Sequence, residues 1–128
     1  MMKRHEARQK ALQVLFQLDS TELSIEEAME HVLEEQKSDA FFETLVHGTV
    51  KNKLNIDEQL EAQLENWQLA RLPKLERTVL RLAVYELIYN EDAPSKVVIN
   101  EAIELCKTFG DEKSAKFVNG VLSKVTKA

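Results

Sequence analysis

The chain has 128 residues, 44% hydrophobic and 30% charged, with a formal net charge of −5. That length suits one domain over residues 1–128, and three glycines and two prolines are too few turn-formers for a sandwich or barrel of short strands. A lone cysteine, Cys106, excludes an internal disulfide and a cysteine-based zinc site; no apolar run approaches the roughly 18 residues of a membrane span, and the basic start lacks the apolar stretch of a signal peptide.

Those limits predict a cytoplasmic, all-α protein, and apolar periodicity sets out about seven helices. The first runs from about Lys3 to Leu18, with Ala7, Ala11, Val14, Leu15 and Leu18 on one face. At about 100° per residue, Arg4 and Arg8 fall at one edge of that face and Lys3 and Lys10 at the other. Ser24 and Glu27 have capping-box spacing, starting a second helix with Ala28, Met29, Val32 and Leu33. Ser38 or Asp39 is placed to cap a third, whose inward face is Phe41, Phe42, Leu45, Val46, Thr49 and Val50. Asn55 is the expected start of a fourth, with Ile56, Leu60, Leu64 and Trp67 on one side.

Pro73 suits the first position of a fifth helix, the most fully buried, carrying Leu75, Val79, Leu80, Leu82, Ala83, Leu87 and Ile88. It is expected to bridge an N-terminal and a C-terminal helical cluster. After a loop over Asn90–Ser95, Ser95 is expected to cap a sixth helix that ends at Gly110 in a left-handed cap. Asp111 then caps a seventh, from Glu112 to Val125. The β-branched run Lys96–Ile99 is short and flows into Ala102, Ile103 and Leu105 at helical spacing. Asn119-Gly120, elsewhere a hairpin signal, fits one continuous helix in which Gly120 would let a neighbour approach closely.

Nothing in the sequence selects a catalytic apparatus. His5, His31 and His47 fall on three different helices, without the His-Glu-x-x-His or Glu-x-x-His spacing of a metal site. Gly48, Gly110 and Gly120 lie too far apart for a phosphate-cradling loop. Cys106, beside Leu105, reads as a small buried hydrophobe, and the Glu26–Glu35 acidic cluster as a solvated face. The expectation is a binding protein, not an enzyme, with no cofactor and no metal.

Charge is uneven. Residues 1–10 carry a net +3, residues 107–128 another +3, and the stretch between them −11. Such an asymmetry points to a localised anion site. Three basic groupings could form it: Lys3, Arg4, Arg8 and Lys10 in the first helix; Lys74, Arg77 and Arg81 along the fifth; and Lys113 and Lys116 at the start of the seventh. Guanidinium and ammonium groups beside a ring are what single-stranded RNA recognition requires. Phe16 and Phe117 are so placed, although each also reads as a core residue.

The string Lys116-Phe-Val-Asn-Gly-Val-Leu122, with Asn100-Glu-Ala-Ile-Glu-Leu105 and Leu80-Arg-Leu-Ala-Val-Tyr-Glu86, resembles the NusB family of bacterial transcription antitermination factors. The opening Ala7-Arg-x-x-Ala11-Leu-Gln-x-Leu15-Phe is similar to that family's first helix, so the likeness runs from about Lys3 to Val125. It implies a compact bundle in two small helical subdomains. It also implies binding of single-stranded boxA RNA from ribosomal RNA transcripts, jointly with NusE, a small-subunit ribosomal protein. NusA, NusG and RNA polymerase would complete the antitermination complex. By this resemblance Lys3, Arg4, Arg8, Lys113, Lys116 and Phe117 contact RNA, and Glu76, Arg81 and Glu86 on the exposed side of the fifth helix contact NusE. His5 and Glu6 interrupt the basic opening, so NusE is expected to be needed for useful RNA affinity. The related module on ribosomal RNA cytosine methyltransferases is set aside, because a chain ending at Ala128 leaves no room for a methyl-donor domain. The alternative is a protein-only helical scaffold, or a homodimer when free. On either reading the basic ends are expected to converge into one patch.

Overall fold

The computed structural model describes residues 2–90 and 92–125. Seven α-helices and one 3-10 turn make up the regular structure, with no strand among the described residues. The chain divides into two compact units, with the boundary between Lys51 and Asn52.

The first unit contains α1 (Arg4–Leu18), α2 (Ile25–Leu33) and α3 (Ala40–Lys51). Helix α1 packs on both α2 and α3, burying Ala7, Ala11, Leu12, Val14 and Leu15. These residues recur at the three- and four-residue spacing that puts them on one stripe. Helix α2 starts at a complete capping box. The Ser24 hydroxyl accepts from the Glu27 amide, and the Glu27 carboxylate accepts from the Ser24 amide, each at 3.1 Å. Those bonds hold the Glu27 carboxyl below its ordinary range. Asp39, not Ser38, caps α3: its carboxylate accepts from the amides of Phe41 (3.1 Å) and Phe42 (3.3 Å). Phe42, Leu45, Val46 and Thr49 then face inward as expected, whereas Val50 is exposed.

The second unit contains α4 (Lys53–Glu61), a 3-10 turn (Leu69–Arg71), α5 (Lys74–Tyr89), α6 (Ser95–Phe109) and α7 (Glu112–Val125). Helix α5 packs on α4, α6 and α7, and the most extensive pairing is α6 against α7. Val79, Leu80, Leu82, Ala83 and Val84 of α5 meet a core supplied by Val98, Ala102, Leu105, Val118, Val121 and Leu122. Burying each valine or leucine among them contributes about 1.5–3 kcal/mol.

Several expectations shift here. Helix α4 begins two residues before Asn55 and stops at Glu61, so Leu64 and Trp67 lie beyond it. The Glu61 carboxylate reaches forward to accept the Leu69 amide (2.9 Å), tying the helix end to the 3-10 turn. Pro73 and Pro94 each precede their helix by one residue, and Ser95 is the first residue of α6, not its cap. Of the loop before it, Glu91 lies outside the described residues. Gly110 sits at φ −138°, not in the left-handed region. Glycine is needed there because a Cβ would lie 2.6 Å from Leu75 Cδ2 and 2.9 Å from the Cys106 carbonyl oxygen. Gly120 is the reverse case: a Cβ there would meet nothing within 4 Å, so no neighbour approaches it.

Candidate nucleic-acid interface

On the first unit the basic turn is ordered around one ring. Lys3 and Arg4 are exposed at the start of α1. The Arg4 guanidinium carbon lies 3.9 Å from the Phe41 ring centroid, and that of Arg8 lies 5.3 Å from it. The cations therefore share an aromatic support from α3, which orients them and offsets some of the repulsion between them. Their exposures differ: Arg4 is open to solvent, whereas Arg8 is only 4% exposed. Arg8 is thus a structural cation of α1, and the solvent-facing charge at this end comes from Lys3 and Arg4. Phe16 is exposed on α1 and is not a core residue.

On the second unit, Lys113 and Lys116 are exposed on the first turns of α7, and Phe117 is half-buried beside them. Asp111 caps this helix, its carboxylate accepting from the Ser114 amide at 2.8 Å. That bond, with Lys113 beside it, holds the Asp111 carboxyl below its usual range. The Ser114 hydroxyl also donates to Glu76 Oε1 of α5 (3.1 Å). Phe117 meets the ring of Trp67 at 6.0 Å between centroids and 73° between planes. Trp67 is 57% exposed. A cavity of about 390 Å³ lies on one flank of this aromatic pair, bounded by Glu76, Asp111, Lys113 and Ser114. A second, of about 230 Å³, lies on the other flank, bounded by Gln63, Asn66, Gly120 and Lys124.

The third basic grouping is not a surface stripe. Arg77 Nη1 donates to the carbonyls of Ala70 (3.3 Å) and Leu72 (3.2 Å), closing the 3-10 turn. Arg81 makes a two-pronged bond to Asp57 of α4, Nε to Oδ1 at 2.8 Å and Nη2 to Oδ2 at 3.1 Å. Such forked pairing consumes the geometry that would otherwise grip a phosphate. Glu86 is 3% exposed. Of the three residues expected on the exposed side of α5, Glu86 is buried, and Arg81 and Glu76 are half-buried, Arg81 committed to Asp57.

The NusB family model matches residues 5–127. This chain belongs to the NusB family. It is 66% identical over 125 residues to the transcription antitermination protein NusB of Lysinibacillus sphaericus, covering 98% of each sequence. Its fold is that of NusB from T. maritima, with a TM-score of 0.89 at 37% identity, covering 98% of this chain and 92% of that one. A structure of the antitermination factors NusB and NusE in complex with dsRNA matches with a TM-score of 0.88 at 34% identity, covering 98% of both chains.

In this NusB-family chain, Trp67 is the candidate site residue that periodicity did not single out. Leu64 and Trp67 continue the spacing of Ile56 and Leu60, so periodicity alone placed all four on one side of a single helix. The only local signal was Asn66, a turn-former just before the ring. Cys106 behaves as expected. It is fully buried, and burial pushes its thiol up to about 12, with Glu76 and Asp111 adding to the rise. The thiol stays protonated at neutral pH. An aromatic disulfide reagent should therefore leave the native protein unlabelled over hours and react with one equivalent once denaturant is added. Rapid labelling of the native protein would contradict this placement. No helix among the described residues is long and apolar enough to cross a membrane, and no group of three or more His, Cys, Asp or Glu among them could hold a metal ion.

Proposed function

We propose that this chain is a cytoplasmic transcription antitermination factor, an RNA-binding adaptor that acts by binding and not by catalysis. With NusE it holds boxA RNA of ribosomal RNA transcripts and joins NusA, NusG and RNA polymerase. The observation that carries the reading is the solved relative in which NusB and NusE are bound to dsRNA, whose fold this chain shares over 98% of its length. Single-stranded boxA is the ligand because the exposed ring of Trp67, with half-buried Phe117 against it, rewards unstacked bases, which a duplex withholds.

Each unit supplies one foothold. On the first, Lys3 and Arg4 contact phosphates, and buried Arg8 shares with Arg4 the Phe41 ring that orients it. On the second, Lys113 and Lys116 contact phosphates while Phe117 offers a base platform. Among the partner contacts, Glu76 is the candidate for direct contact with NusE; Arg81 and Glu86 act through the packing of α5. The test is a titration of single-stranded boxA RNA, and of the same sequence as a duplex, with and without NusE. Tight, sequence-dependent binding of the single strand, strengthened by NusE, is expected. Capture of NusE with no RNA binding in any arm would leave a protein-only scaffold.

A further inference from the structure

Trp67 is the chain's single tryptophan and, at 57% exposure, one of its most exposed large hydrophobic side chains. Leaving an indole in water forgoes much of the stabilisation that burying it would give. Its neighbourhood has the chemistry of a subsite. The 73° angle between Trp67 and Phe117 sets the edge of one ring against the face of the other, so the pair leaves aromatic face area unstacked. The cavity on the Gly120 flank, about 230 Å³, is below the roughly 300 Å³ where drug-sized sites begin, which suits one planar ring. Gln63 and Asn66 on its wall carry amides that both donate and accept, as base edges require. Gly120 forms part of its wall, where even a Cβ would meet nothing within 4 Å.

We infer that this groove is a nucleobase subsite: one unstacked base lies on Trp67, with its edge toward Gln63 and Asn66 and its phosphate toward Lys124. The inference rests on the RNA-binding reading above and extends the footprint of the strand past Phe117. Lys124 now pairs with Glu65 at 3.5 Å, both side chains being largely exposed. A pair of that kind is worth little, so exchanging Glu65 for a phosphate is easy. A base fits better than an inserted protein side chain because the site combines open aromatic area and two amides with the weakly paired Lys124 and Glu65, and continues the platform and lysines of α7.

Trp67 makes its own reporter. Titrating the protein with single-stranded RNA should quench tryptophan emission, with the same midpoint as the anisotropy of a labelled strand. Trp67→Ala should weaken binding roughly ten- to a hundredfold, the range for one stacked base. Gly120→Leu, which fills the groove and favours helix, should weaken it comparably and abolish the quench; Gly120→Ala should do neither. Undiminished RNA binding in Trp67→Ala and Gly120→Leu, without quenching in the parent, would overturn the subsite and leave the RNA-binding reading standing. Failure of every protein to bind RNA would overturn that reading itself. Quenching by NusE but not by RNA would assign the groove to a protein side chain and overturn the nucleobase.

Discussion

Phe42→Ala is expected to destabilise the first helical unit by about 3–5 kcal/mol, the range for truncating a buried phenylalanine. Phe42 is completely buried, on the helix that packs against α1. A unit of about fifty residues has little core to spare, because small units bury a smaller share of their surface. A loss of that size is comparable with the whole stability of a small domain. The variant should lose amide-exchange protection across α1 to α3 while α5 to α7 keep theirs. Phe41→Ala, one residue earlier, is the informative contrast. Phe41 is half-exposed and supports the two guanidinium groups, so its loss removes cation–π contacts worth about 0.5–2 kcal/mol. Native-like protection of α1 in Phe42→Ala would show that the unit is held together by something other than this core.

The fold was legible where the determinants are local. The Ser24–Glu27 box, the Asp111 cap and the Glu112–Val125 span of α7 are written in residues three or four apart, and each stands as read. The all-α class followed from the scarcity of turn-formers, and the continuity of α7 through Asn119-Gly120 from the apolar residues on either side. What could not be read depends on partners distant in sequence. Arg81 looked like one cation in a basic stripe, yet Asp57, 24 residues earlier, holds it in a forked ion pair. Glu86 shares the apolar face of α5 although its charge argued for the surface. Gly110 ended α6 as expected but for a different reason, since the constraint is the room a Cβ would need beside the Cys106 carbonyl and Leu75, not a left-handed backbone angle. The candidate site divides in the same way. Lys3, Arg4, Lys113 and Lys116 are exposed helix-start cations, recognisable by position, whereas Arg8 is withdrawn by burial and Trp67 is brought out by the early end of α4.

Lys3→Ala with Arg4→Ala is expected to reduce the slope of log K against log salt by about 1.4 in magnitude, two contacts at about 0.7 each on a single strand. Both side chains are exposed at the start of α1, where the positive end of the helix adds to their field. Phosphate contacts carry no sequence information, so affinity for matched and mismatched RNA should fall together and the preference between them should persist. Lys113→Ala with Lys116→Ala should reduce the slope by a similar amount, because those lysines are a separate foothold on α7. Arg8→Ala should behave differently. A cation only 4% exposed has little access to a phosphate, so its loss should lower the stability of α1 and leave the slope near that of the parent wherever the protein is folded. A parental slope in the Lys3/Arg4 variant, with a reduced one in Arg8→Ala, would invert this assignment and place the phosphate grip inside the helix pair.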